Sequence, residues 1–468
     1  MDGVANRPGL GWGRSVTQRH TDEGPRDDGA AKGLVERVEA ATPSDRDRYL
    51  DFLRVAAILM VILGHWVVRV VVAPDGAAEA QYLLEVQPAW QWATLVWQVM
   101  PLIFLVGGAL NAGSWRRARD EGQAPVDWIR RRAERLLRPT TALLVVLVPA
   151  WILADLAVPE ALLIDPDVAL IPLWFIAAYL VVTALTPITL ALHERGWSLP
   201  AIIAAVAVAA VLDLLRFADL GPVVGTQPMV GFPNFLLIWV SIHQLGHLWA
   251  DDGLPNRLAG KLAVTAAGAG ALMVLIGAAG WPLTMVPVEG TAEPNNAAPP
   301  TIALFALALV QTGVALLARG PMRRALDRPW FWTPVALVGA RMLTLFLWHQ
   351  VAMVVVTNLA VQLNWLPLTQ TIDARWWAQQ PLWVLAFAVV LAGFVAVVGR
   401  FEDKAGDAVP EGGRWPATLA GIALTAAGIS GLLWIGTTEL PTALALVFLG
   451  LLLGGFRALG ALGGGSGK

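Results

Sequence analysis

The chain has 468 residues, 56% of them hydrophobic and only 15% charged, with a mean hydropathy of +0.61 and a formal net charge of −2. Soluble domains are about 45–50% apolar and about 25% charged, so the composition excludes an ordinary soluble fold and favours a membrane domain. The charge balance gives no reason to expect a nucleic-acid partner, and the absence of cysteine excludes a disulfide framework, a thiolate nucleophile, a thiolate zinc site and an iron–sulfur cluster. Residues 1–47 are polar, rich in Gly, Asp and Arg, and hold no apolar run, which predicts a disordered segment without a signal peptide. From Leu50 onward come apolar stretches of the length that crosses a ~30 Å hydrocarbon layer as a helix. They are 50–73, 91–111, 140–158, 168–192, 199–216, 232–250, 258–281, 301–318, 335–359, 381–399, 417–436 and 440–460. The fold class predicted is therefore all-α, a polytopic transmembrane helix bundle. Residues 48–400 form a ten-span core, and 401–468 add two further spans and a short tail.

The loops orient the bundle. With the N-terminus in the cytoplasm, the inner loops carry eighteen Lys/Arg, counting Lys261 at a span edge. The outer loops carry three, Arg69, Arg216 and Arg375, together with Asp75, Glu79, Glu85, Glu160, Asp165, Glu289 and Glu293. That asymmetry predicts a multi-pass protein of the cytoplasmic membrane with both termini inside. Tryptophans near span ends, such as Trp66, Trp90, Trp281 and Trp365, suit the bilayer interfaces. Arginine far outnumbers lysine, as a GC-rich bacterial genome would encode.

Ionisable residues inside spans are expensive and mark function by default. In span 1, Arg54 and His65 are eleven residues apart, close to three helical turns, and so share a face about 16 Å apart along the axis. Asp51 lies three residues before Arg54 on that face. The bland reading is that Asp51 and Arg54 anchor the helix end while His65 bonds a neighbouring helix. The loop between spans 2 and 3 carries eight arginines, including Arg131, Arg132, Arg135 and Arg138 on a short amphipathic helix. Topology and attraction to anionic lipid explain such a loop. So does a phosphate clamp, because arginine forks bind phosphate bidentately.

The run DRYLDFLRVAAILMVILGHW, with Arg54, ten residues and His65, resembles the first-span signature of the acyltransferase-3 family of integral membrane acyltransferases. Arg131-Arg132-Ala-Glu-Arg135 is similar to its RRxxR motif. Pro101–Gly108 is similar to its second-span segment, with Gly107 where many relatives carry serine. Leu173-Trp174-Phe175 and Leu347-Trp348-His349 resemble later family segments. The resemblance covers roughly residues 46–400 and implies transfer of an acyl group, acetyl above all, from cytoplasmic acyl-CoA to a hydroxyl of a sugar, envelope glycan or small metabolite. On that reading His65 is the catalytic base or a transient acyl carrier, and Asp51 orients a side chain or holds Arg54. Arg54, Arg131, Arg132 and Arg135 bind the donor phosphates, and Trp174, Arg341 and His349 are further candidates. The pantetheine arm, roughly 15–20 Å when extended, spans the gap between the arginines and His65. No metal and no permanently bound cofactor are expected; acyl-CoA is a substrate. The partners expected are the acyl donor, a hydroxyl acceptor and the lipid bilayer.

Other polar residues point less sharply. Arg341 and His349 sit roughly 80° apart around one helix and need not share a face. His243 and His247 have metal-ligand spacing but no evident third ligand. His193 reads as an exposed loop residue. Asp213 and Arg216 form a pair or line an acceptor entrance. The C-terminal Gly460–Lys468 run lacks the following helix of a phosphate-binding loop. Two other functions compete with the acyltransferase. A twelve-span secondary transporter has the same span count, but the halves show no matching broken helices. An acyl-CoA-dependent regulator without turnover is the third.

Overall fold

The computed structural model describes residues 26–157, 162–224, 227–288, 294–403, 412–435 and 444–460. It divides into two units, Met1–Arg46 and Asp47–Lys468. In the first, α1 (Arg26–Ala41) forms where composition predicts no regular structure. Its sequence AAKGLVERVEAA holds good helix formers, with Leu34 and Val38 one turn apart.

The second unit starts with α2 (Arg48–Val68), capped by Asp47, whose carboxylate accepts the Tyr49 and Leu50 N–H groups. Strands β1 (Arg69–Val72) and β2 (Glu79–Tyr82) follow as an antiparallel pair, with Arg69 opposite Tyr82 and Val72 opposite Glu79. Span 1 therefore ends earlier than its hydropathy predicts. Arg69-Val-Val-Val is β-branched and is followed by the turn Pro74-Asp75-Gly76, so it leaves the helix as a hairpin. After α3 (Leu83–Val86) and α4 (Thr94–Trp97) comes α5 (Met100–Asp120), so the predicted second span is interrupted just before Met100-Pro101. The predicted amphipathic segment and third span are one helix, α6 (Pro125–Ala157), of 33 residues.

The fourth predicted span breaks into α7 (Leu173–Ala184) and α8 (Thr186–Glu194) at Leu185, where Pro187 denies a backbone donor. Next come α9 (Ser198–Phe217), α10 (Asn234–Ala250), α11 (Leu258–Gly277) and α12 (Ile302–Leu326). The ninth predicted span is two helices, α13 (Pro329–Ala340) and α14 (Met342–Gln362), meeting at Arg341. Then follow α15 (Ala374–Val398), α16 (Arg400–Asp403), α17 (Trp415–Ile435) and α18 (Ala445–Leu459). Eleven helical stretches among the described residues are long and apolar enough to cross a bilayer. The twelfth, α18, has 15 described residues, and residues 436–443 before it lie outside the described ones, as do Glu160, Glu289, Glu293 and the tail from 461.

Helices α5 and α10 cross at backbone contact. A Cβ on Gly108 would strike the His243 carbonyl, and one on Gly246 the Leu105 carbonyl. In lipid, where apolar burial drives little association, such small-residue crossings supply the packing. Helix α14 is the most enclosed of the spanning helices, whereas α9, α11 and α15 present Ile203, Val211, Met273, Leu385 and Val389 outward, as lipid contact requires.

Two sets of loops gather on opposite faces. On one, Arg116 of α5, Glu194 of α8 and Asp251 after α10 bond together, and Arg323 of α12 pairs with Asp47. On the other, Ala73 bonds Thr369, Gln87 bonds Ile372 and Gln98 bonds Met285. Reporter fusions at Gln123, Asn256 and Asp327 should therefore all score on one side of the membrane, and those at Gln81, Asn295 and Asp373 on the other. A fusion at Asn295 that scored with the first set would break the order of α11 and α12.

Candidate functional site

His65 lies on the last turn of α2, half-buried, directly after Gly64. A Cβ on Gly64 would collide with the Trp97 indole, so this glycine lets the ring close against the helix beside the histidine. His65 Nδ1 lies 2.8 Å from Nε2 of His349, a fully buried residue of α14, with the two rings nearly parallel at 5°. His349 Nδ1 lies 2.6 Å from the Phe346 carbonyl, and the next residue of α2, Trp66, donates its indole N–H to the His349 carbonyl at 3.0 Å.

This chain of contacts assigns the protons. A carbonyl oxygen only accepts, so His349 Nδ1 carries the hydrogen. In the neutral ring Nε2 is then a bare acceptor, and it takes the N–H of His65 Nδ1. His65 Nε2 is left with its lone pair outward, and it has no hydrogen-bond partner among the described residues. Such an imidazole is oriented and tautomerically fixed to receive a proton.

At the mouth of the same helix, Asp51 and Arg54 pair at 3.6 Å. Asp51 stands about 21 Å from His65 along the helix. Of the two roles expected for it, holding Arg54 is the one its pairing fits.

The structure sorts the eight arginines of the α5–α6 segment. Arg116 forks onto Asp251 at 2.5 and 2.7 Å and reaches Glu194, and Arg119 pairs with Glu194 at 2.8 Å. These hydrogen bonds to Arg119 and Arg116 hold the Glu194 and Asp251 carboxyls below the usual range. Arg130 pairs with Asp127, and Arg138 with the buried Glu134. Arg131 is half-buried and has a partner. Arg117, Arg132 and Arg135 have no ion pair among the described residues, and Arg117, Arg135 and Arg54 all act electrostatically on Arg132. Arg54 of α2, Arg117 of α5 and Arg135 of α6 thus lie near enough to Arg132 to act on it, and of these four only Arg54 has an ion pair among the described residues, with Asp51. Tyr179 also acts on Arg132, and its ring rests where a Gly107 side chain would be. Serine at position 107 would need that ring to move.

The remaining candidates make other contacts in the bundle. Trp174 stacks on Trp239, whose ring stacks on Phe104, in an aromatic core that reaches His349 through Phe175 and Phe346. Arg341 donates to the Gly399 carbonyl at 3.4 Å, where α13, α14 and α15 meet, and is not brought to His65. Glu402 caps α14 by accepting the Leu343 and Thr344 N–H groups. His247 uses one ring nitrogen on the Gly108 carbonyl and the other on Thr189, so the His243–His247 spacing is no open metal pair. His193 is not an exposed loop residue: it bridges Ser198 and Asp251. Asp213 caps α12 at Ile302 and Arg216 holds carbonyls of 295–299, so neither lines an entrance.

A polytopic helical membrane protein with an oriented histidine pair between two spans and an arginine cluster at one mouth is the class these features define. A family model described as an acyltransferase domain matches residues 47–401, and the chain belongs to the acyltransferase-3 family. It is a membrane acyltransferase by that membership, which favours this reading over the transporter plan. The match ends before α17. No curated protein and no solved structure matches the chain.

Proposed function

We propose that this protein transfers an acyl group, acetyl above all, from cytoplasmic acyl-CoA to a hydroxyl of a sugar, an envelope glycan or a small metabolite. The observation that carries the reading is the His65–His349–Phe346 chain, which leaves His65 Nε2 unprotonated and unpartnered. As the acceptor oxygen attacks the thioester carbonyl, Nε2 takes the hydroxyl proton. The carbon–sulfur bond then breaks and the proton passes to the departing thiolate, releasing free CoA. His349 positions the imidazole and spreads the charge it gains. Arg54, Arg117, Arg132 and Arg135 support the donor assignment, because a polyphosphorylated ligand supplies the anions that this cluster lacks.

The test is release of CoA from acetyl-CoA by purified protein, with and without a panel of hydroxyl acceptors. Acceptor-stimulated release supports the reading; no turnover with any acyl-CoA overturns it. His349→Phe should lower kcat about 10–100-fold, the range for partners that orient a functional imidazole, with KM for the donor unchanged. His349→Gln keeps an oxygen that accepts the His65 N–H and should retain more activity. Equal losses in both variants would remove the orienting role.

A further inference from the structure

The two C-terminal helices lie beyond the matched domain, yet they pack on the helix that carries the arginine cluster, and its start is bonded by the residues just before α17 and by the last residue of α18. The Asp127 carboxylate, near the N-terminus of α6, accepts the Gly413 N–H at 2.8 Å and the Gly412 N–H at 3.2 Å. Gly412 has φ +85°, a conformation that favours glycine. Arg130 pairs with the same carboxylate at 3.6 Å and donates its Nε to the carbonyl of Leu459, the last residue of α18, at 3.3 Å. Ile422 of α17 packs on the cluster holding Trp115 and Trp128, and the Arg132 guanidinium lies over the Trp128 ring at 5.5 Å. Trp128 is tied in turn to Ser114 of α5.

One side of the first turns of α6 is thus held by the C-terminal helices, and the residues presented next along the chain are Arg132 and Arg135. Apolar packing alone would let α6 slide or rotate. Directional bonds from a largely buried ion pair to backbone groups fix its register. We propose that α17 and α18 are a brace: through Asp127, Arg130 and Trp128 they set the position of Arg132 and Arg135, so that donor affinity depends on residues outside the acyltransferase domain. Asp127 and Arg130 are positioning residues. The inference rests on reading Arg132 and Arg135 as the donor site.

The experiment measures acetyl-CoA affinity by calorimetry, and kcat and KM where turnover is seen, on the full chain in detergent. The variants are Gly413→Ala, Asp127→Asn, Arg130→Ala, Arg130→Lys and Arg132→Gln. A Cβ on Gly413 would come within 2.6 Å of Arg130 Cδ and 2.9 Å of Asp127 Oδ1, which opens the clamp from the C-terminal side. Asp127→Asn is the milder cut and carries the test if Gly413→Ala fails to fold. Gly413→Ala, Asp127→Asn and Arg130→Ala should each weaken donor binding about three- to ten-fold, the net effect of one hydrogen bond. The kcat at saturating donor should be kept, and Arg130→Lys should recover much of the affinity. Unchanged donor affinity in folded Gly413→Ala and Asp127→Asn, alongside a loss in Arg132→Gln, overturns the brace. So does a fall in kcat with affinity intact. Unchanged affinity in Arg132→Gln overturns the donor-site reading instead, and the brace with it.

Discussion

His65→Ala is expected to abolish acyl transfer while leaving acetyl-CoA affinity within about two-fold of the parent protein. His65 is about 16 Å up the helix from Arg54, so on the proposed donor assignment it meets the thioester end and not the phosphates. General-base catalysis typically contributes about 10²–10⁴-fold, and turnover should fall by at least that range. Folding should survive, because the Trp66 bond to the His349 carbonyl still joins α2 to α14. A second result separates base from nucleophile. Incubation with labelled acetyl-CoA and no acceptor labels the protein at His65 only if an acyl-imidazole forms. The fixed Nδ1–H of His65 leaves Nε2 fit for either role, and the base is the reading favoured here because a single step needs no stabilised acyl-histidine. Near-normal turnover in a folded His65→Ala protein would remove the catalytic assignment and leave the family membership to describe the fold alone.

The membrane architecture was legible in the sequence because hydropathy registers every spanning helix, whatever it packs against. The edges were not. The window that joins 50–73 counts Val70, Val71 and Val72 as helix, although their β-branched side chains and the turn after them form a hairpin. The fourth and ninth spans look continuous in hydropathy but break at Leu185 and Arg341.

The site shows the same division. Spacing along one helix brought out Arg54 and His65. The partner His349 is 284 residues away, and no periodicity within α14 tells that it faces α2. Its place inside an apolar span and the likeness of Leu347-Trp348-His349 to a family segment marked the residue but not its partner. Counting eight arginines in one segment could not separate Arg116 and Arg119 from those left unmatched, because their partners Glu194 and Asp251 lie on or after other helices, whereas Asp127 and Glu134 stand on α6 one turn before Arg130 and Arg138.

That separation sharpens the other large effect, on Arg132 and Arg135. Replacing both with glutamine should weaken acetyl-CoA binding by roughly 100-fold or more, since hydrogen bonds to charged groups contribute about 1.5–3 kcal/mol each. Both residues lack ion-pair partners among the described residues, so the change strands no buried carboxylate and the protein should insert and melt as before. Arg116 and Arg119 provide the contrast. Replacing them leaves Glu194 and Asp251 without their arginine partners, with only His193 still on Asp251, so stability in detergent should drop while donor affinity changes little. The salt dependence should differ as well. Donor binding through several exposed cations weakens as ionic strength rises, and the double variant should show a shallower slope. If the Arg132/Arg135 variant binds acetyl-CoA as tightly as the parent protein, the cluster serves topology and lipid headgroups, and the donor phosphates must be sought elsewhere on the arginine-rich face.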